Sequence, residues 1–140
     1  MLLYTSPNLP LDKIWHSKQL LIWNTFLTSK NMLANTPAPP YYAVIFTTYR
    51  TANDSAYEEM AKEMVRLVAL QPGYLGHESA RNELGITISY WESLEAIKAW
   101  KVQSDHQLAQ KYGREKWYTA FKTRIALVER DYGMNTEGED

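Results

Sequence analysis

The sequence predicts an α+β domain of order β-α-β-β-α-β, the split βαβ unit of ferredoxin-like folds with a four-stranded antiparallel sheet. Three observations carry that prediction. Runs rich in β-branched and aromatic residues occur near 41–49, 74–81, 86–90 and 120–129. Stretches with apolar residues at 3.6-residue spacing lie between the first and second runs and between the third and fourth. Turn residues, Pro72-Gly73 and Asn82-Glu83-Leu84-Gly85, stand where the period changes. A chain of 140 residues suits one domain with its own core.

Tyr41-Tyr42-Ala43-Val44-Ile45-Phe46-Thr47-Thr48-Tyr49 lacks Gly and Pro and is apolar on both sides, so it reads as a buried strand. Ser55 with Glu58 three residues on forms a capping box that opens a helix. Tyr57, Met60, Ala61, Met64, Leu67 and Val68 mark one face of it, with Glu59, Lys62, Glu63 and Arg66 outside. Pro72-Gly73 ends this helix after Gln71. Residues 74–81 alternate as a second strand, and Ile86, Ile88 and Tyr90 alternate on a third. Ser93 caps a second helix carrying Leu94, Ile97 and Trp100. A polar helical stretch follows from Ser104 to Tyr112 and breaks at Gly113. The last strand shows Phe121, Thr123, Ile125 and Leu127 on one side, and the acidic tail, residues 134–140, is expected to be disordered.

Residues 1–40 form an N-terminal extension to this domain, which spans 41–133. Two readings of the extension stand side by side. Leu11, Ile14, Trp15, Leu21 and Ile22 fall near helical spacing, so 11–28 can be one amphipathic helix; alternatively Met32 is the true start. Residues 36–40, Thr-Pro-Ala-Pro-Pro, stiffen the approach to the first strand.

Composition excludes several function classes. The net charge of −1 gives no electrostatic reason to expect nucleic acid or an anionic membrane as partner. The absence of cysteine removes disulfides, thiolate metal sites and cysteine nucleophiles together. No run approaches the ~18 apolar residues of a membrane span, and the N-terminus lacks a secretory pattern. A soluble, cytoplasmic protein is expected. Two helices cover one face of a four-stranded sheet, whereas the first strand is apolar on both. An uncovered apolar face costs roughly 25 cal/mol per Å², and two-fold pairing of two such sheets removes it. A homodimer is therefore expected from pattern.

The run Tyr74-Leu75-Gly76-His77-Glu78-Ser79, the strand ending Tyr90-Trp91-Glu92-Ser93, the helix opening Leu94-Glu95-Ala96, and the step Ser104-Asp105-His106 resemble the antibiotic biosynthesis monooxygenase family. The resemblance covers residues 41–133. It implies a dimeric α/β barrel with a pocket between sheet and helices in each subunit. It also implies an oxygenase that oxidises polycyclic aromatic substrates with dioxygen and no metal or flavin. A heme-binding, heme-degrading branch is the alternative, and a non-catalytic dimer that binds a small ligand is a third reading.

On that resemblance His106 is the candidate catalytic residue, a base for a phenolic proton or a heme ligand. Its plainer reading is a surface histidine. Trp100 stands where the heme-degrading branch has a Trp pressing on the macrocycle, and at helical spacing with Leu94 and Ile97 it also reads as core. Phe46, Tyr90 and Trp117 join Trp100 as candidate substrate-binding residues. Trp91 and Tyr118 can stack on a flat ligand as well, and barrel packing is the other use of all these rings. Two marks of the heme branch are absent. The position ten residues after Trp100, where that branch has its ligand His, is Gln110, and Phe46, Thr47 and Thr48 occupy the first strand where it has Asn. His77 and Glu78 are adjacent on a strand, point to opposite faces and cannot share a metal. No metal site is expected. Arg114, Lys116 and Arg124 can meet an acidic group or remain solvated charges.

Overall fold

The structure is a computed structural model that describes residues 32–53, 56–113 and 116–134. The compact unit Leu33–Tyr132 holds strand β1 (Tyr41–Arg50), helix α1 (Tyr57–Val68), strands β2 (Tyr74–Arg81) and β3 (Leu84–Trp91), helix α2 (Leu94–Tyr112) and strand β4 (Tyr118–Val128). The four strands form one antiparallel sheet in the order β2-β3-β1-β4. This is the expected ferredoxin-like arrangement. The expected helix in 11–28 and the acidic tail beyond 134 lie outside the described residues.

The central place of β1 follows from its composition. Both its edges are hydrogen-bonded and both its faces carry apolar side chains. Pairing of Tyr42 with Trp91 and Leu127, and of Val44 with Ser89 and Ile125, puts these residues on one face. That face meets the helices: Val68, Trp91 and Ile97 form the core, with Tyr42, Val44, Tyr74, Ala96 and Trp100 packed around them. Trp91 is fully buried, and its indole N–H donates to Ser89 Oγ at 2.9 Å. Removing so large a ring from water is the largest single apolar contribution in the layer between sheet and helices.

Helix α1 obeys the predicted periodicity with altered ends, whereas on α2 Ile97 is buried, Trp100 half-buried and Leu94 48% exposed. On α1, Met60 and Val68 are buried and Glu59, Lys62 and Arg66 are exposed. Its N-cap is Ala56, in the left-handed region at φ 56° and without a side-chain cap. Ser55, the predicted cap, lies outside the described residues. The helix stops at Val68, three residues before the predicted end, and leads through turns to Gly73. That residue takes φ 84°, and a Cβ there would stand 2.7 Å from the Ala96 Cβ, so the turn under α2 requires glycine. Ser93 caps α2 as expected, accepting from the Ala96 N–H at 3.1 Å. The polar stretch from Ser104 continues the same helix without a break, bridged by the Lys101–Asp105 ion pair.

The other face of the sheet carries Tyr41, Ala43, Ile45, Thr47 and Tyr49 of β1 with Leu84, Ile86, Ile88 and Tyr90 of β3. Near the start of β1 it is covered by the preceding segment. The Ala34 N–H donates to Glu78 Oε2 at 2.9 Å. Tyr41 accepts from Thr36 at 3.1 Å and donates to Asp131 at 2.5 Å. Its burial, followed by the Asp131 bond, pushes the Tyr41 hydroxyl above the ordinary phenol range. Further along the strands Tyr49, Leu84 and Ile86 stay exposed. Among the described residues no helix is long and apolar enough to cross a membrane.

Candidate functional site

Strand alternation selects the side chains that can form a site under the helices. On β1 these are Tyr42, Val44, Phe46, Thr48 and, across a bulge in the pairing with β4, Arg50. The core around Trp91 and Ile97 packs against β3 and the early part of β1. Along β4 the same face is open: Phe121, Ile125 and Leu127 are 67, 53 and 49% exposed. An open apolar surface, called the trough below, therefore runs beside the helices over β1 and β4.

One end of the trough carries a cluster of aromatic rings. Phe46 meets Tyr118 edge-on, centroids 5.6 Å apart at 90°, and Phe121 at 5.9 Å. Tyr118 meets Tyr57 of α1 at 6.0 Å, and its hydroxyl donates to the Tyr57 hydroxyl at 3.5 Å. The Arg50 guanidinium carbon lies 3.6 Å above the centre of the Tyr57 ring, a cation–π contact. Arg81 reaches from β2 to donate to Thr48 Oγ1. Burial first, and the bond with Tyr57 second, push the Tyr118 hydroxyl far above the ordinary phenol range, against the pull of Arg81 and Arg50. Edges of aromatic rings are suited to a planar ring, and cations beside a hydroxyl to negative charge on oxygen.

The sequence-derived candidates divide between places. Phe46 belongs to the trough. Trp100 is half-buried and stacks on Trp91, centroids 6.5 Å apart and planes 26° apart, so much of its face is used in the core. Trp117 is 6% exposed and wedged between Tyr57 and Tyr112, at 6.2 and 5.5 Å, where it supports the rings rather than lining the trough. Tyr90 pairs with Ala43 and so occupies the opposite sheet face, where its hydroxyl donates to Glu78 at 2.5 Å. His106 is exposed. It follows Ile97 by nine residues, about 180° round the helix, and projects away from the sheet-facing side. The protomer does not bring it together with Phe46 or Trp100. Lys116 is exposed, Arg124 lies on the sheet face opposite the helices, and Arg114 is outside the described residues.

Tyr118 was legible as a stacking ring, whereas Tyr57, Arg50 and Arg81 had no sequence signal as a group. Their meeting depends on the bulge that pairs Arg50 with Tyr118 and on the hairpin that returns Arg81 opposite Gly85. His77 faces the helix side and is hydrogen-bonded through Nδ1 to the Tyr74 hydroxyl, while Glu78 faces the other way. Among the described residues no cluster of three metal-ligating side chains occurs. An α2 imidazole turned toward the sheet, the arrangement the heme-degrading branch implies, is not present: His106 and Gln110 are both exposed. The residues of α2 therefore do not fit a heme ligated from that helix. An open depression of about 310 Å³ lined by Gln71, Gly73, Ser93 and Ala96 contains none of these groups.

Comparison with known proteins agrees with this geometry at the level of family and fold. The family model described as antibiotic biosynthesis monooxygenase matches residues 40–112. The uncharacterized protein YqjZ of Bacillus subtilis (strain 168) is 48% identical over 102 residues, 71% of this chain and 90% of that protein. SnoaB, a cofactor-independent oxygenase from Streptomyces nogalater, has a similar structure with TM-score 0.51 and 13% identity, covering 69% of this chain and 98% of that one. The heme-degrader MhuD from Mycobacterium tuberculosis, solved with two hemes in its active site, gives TM-score 0.50 and 24% identity over 66% of this chain and 99% of that one. The likeness to the two solved structures is one of fold.

Proposed function

Because this chain belongs to the antibiotic biosynthesis monooxygenase family, we propose that it oxidises a planar phenolic small molecule with dioxygen, without metal or organic cofactor. The reaction is assigned to the trough between sheet and helices. The observation that carries this reading is the ring cluster at one end of that trough, where the Tyr118 hydroxyl and the Arg50 guanidinium stand among Phe46, Phe121 and Tyr57.

On this reading the substrate is a phenol conjugated to an activated methylene. One proton leaves to solvent through the open side of the trough. Tyr118 donates to the resulting oxyanion, and the cationic charge beside it lowers the energy of the anion. The electron-rich ring passes one electron to dioxygen, the two radicals combine in a C–O bond, and the peroxide so formed is protonated. Loss of water then breaks the O–O bond and leaves a carbonyl. One CH₂ and one O₂ become one C=O and one H₂O.

The test is oxygen consumption by the purified chain across a panel of hydroxylated polycyclic aromatics carrying such a methylene. Turnover above that of heat-denatured protein is expected, and Tyr118→Phe is expected to lower it by ~10². No consumption with any member of the panel, or full activity in Tyr118→Phe, overturns the reading. A homodimer is part of the proposal, supported by the exposed Tyr49, Leu84 and Ile86 on the sheet face opposite the helices.

A further inference from the structure

We propose that Arg81 builds an anion-binding subsite at the trough, so that the phenolic substrate also carries a carboxylate. This rests on the reading of the trough as a site for a planar ring and adds the substrate's second functional group.

The guanidinium is positioned by three features of the sheet. Arg81 pairs with Gly85 across the β2–β3 hairpin, and Gly85 pairs in turn with Thr48 of β1. Thr48 is a buried polar residue whose Oγ1 accepts from Arg81 Nη2. Gly85 supplies the gap in which the guanidinium lies: a Cβ there would stand 2.1 Å from Nη2 and 2.3 Å from Cζ. Gly85 is itself buried, and no left-handed backbone demands glycine at this position. The close approach of the guanidinium is the physical use of the missing side chain.

The charge held there is not consumed by the fold. Among the described residues Arg81 makes no salt bridge, and its hydrogen bond goes to a neutral hydroxyl. Its anchor Thr48 stands on the helix-side face of β1 between Phe46 and Arg50. A fixed guanidinium beside aromatic walls matches a carboxylate attached to a planar ring. The ring takes the edges of Phe46 and Tyr118, and the carboxylate takes the remaining N–H groups of the fork. Arg81 is exposed, so the fork is open to a ligand while the Thr48 hydroxyl and the glycine gap hold one edge of it in place.

The measurement is binding to the full chain by intrinsic tryptophan fluorescence, using 3-hydroxy-2-naphthoic acid and its methyl ester as a matched pair. The acid is expected to bind about tenfold or more tightly than the ester. Arg81→Gln should abolish that preference while leaving ester affinity within about twofold, and Arg81→Lys should retain part of it. Gly85→Ala keeps the charge but pushes the flexible guanidinium off Thr48, and should also lose the preference in a folded protein, checked by circular dichroism. Equal binding of acid and ester to the wild type, or equal weakening of both by Arg81→Gln, overturns the subsite. Absence of any binding overturns the trough as an aromatic site altogether. A selective acid that binds while no panel member consumes oxygen overturns the oxygenase reading alone.

Discussion

Trp91 shows how one residue can decide packing and limit chemistry at once. It is fully buried, meets Tyr74 edge-on at 5.6 Å and stacks with Trp100 at 6.5 Å. Replacing it with Ala is expected to cost about 3–5 kcal/mol, because the lost transfer energy is joined by that of the cavity left behind. Urea denaturation at neutral pH checks this, and a loss below about 1 kcal/mol would show that the layer can close over the gap. The same stack removes much of the Trp100 surface from any ligand. His106 presents the opposite case, a reactive side chain on the exposed side of α2. On the protomer's geometry His106→Ala is expected to leave oxygen consumption within about twofold. A fall of ~10² or more would restore it as the base, with the substrate reaching the outer side of α2.

At the scale of elements, the two helices are tied by charge as well as by Val68 and Ile97. Glu63 of α1 accepts from Arg66 at 2.9 Å and from Lys111 near the end of α2 at 2.8 Å. The Arg66 bond first and the Lys111 bond second hold its carboxyl at about 2, below the ordinary carboxylate value of 4.5. The group is at the surface, so its contribution is modest and screened by salt. The sign is still determined. A carboxyl lowered on folding stabilises fully above its unfolded pKa, and the benefit disappears as pH falls from near 4.5 toward 2. Glu63→Gln should therefore unfold at lower urea than wild type at pH 7, with the two midpoints converging near pH 2. A constant difference between them would mean that packing, not ionisation, sets the effect. The periodicity of α1 was readable from apolar spacing, as was the Ser93 cap. The continuity of α2 through Ser104 to Tyr112 was not, because a polar stretch is held by local ion pairs and by Lys111 rather than by an apolar stripe.

For the whole molecule, the outstanding quantity is the sheet face turned away from the helices. Tyr41 and Ala43 on it are covered within the protomer, whereas Tyr49 is 50% exposed and Leu84 and Ile86 are each 38% exposed. Light scattering is expected to return twice the protomer mass. Ile86→Asp should shift the protein toward monomer without unfolding it, since the side chain is already partly in water. A wild type that stays monomeric at micromolar concentration removes the barrel from the proposal.

The order of elements along the chain and their types were determined by the sequence alone, because period-2 and 3.6-residue patterns are local and are imposed by the backbone itself. The family was legible for the same reason, in short runs such as Tyr90-Trp91-Glu92-Ser93. The composition of the site was decided by tertiary structure. Whether Tyr90 or Trp91 faced the helices depended on pairing register, and a shift of one residue would have exchanged them. Arg50, Tyr57, Arg81 and Tyr118 lie on four different elements, and long-range pairing, a bulge and a glycine gap bring them to one end of the trough. Local pattern carries no information about such distances; only the closed sheet does.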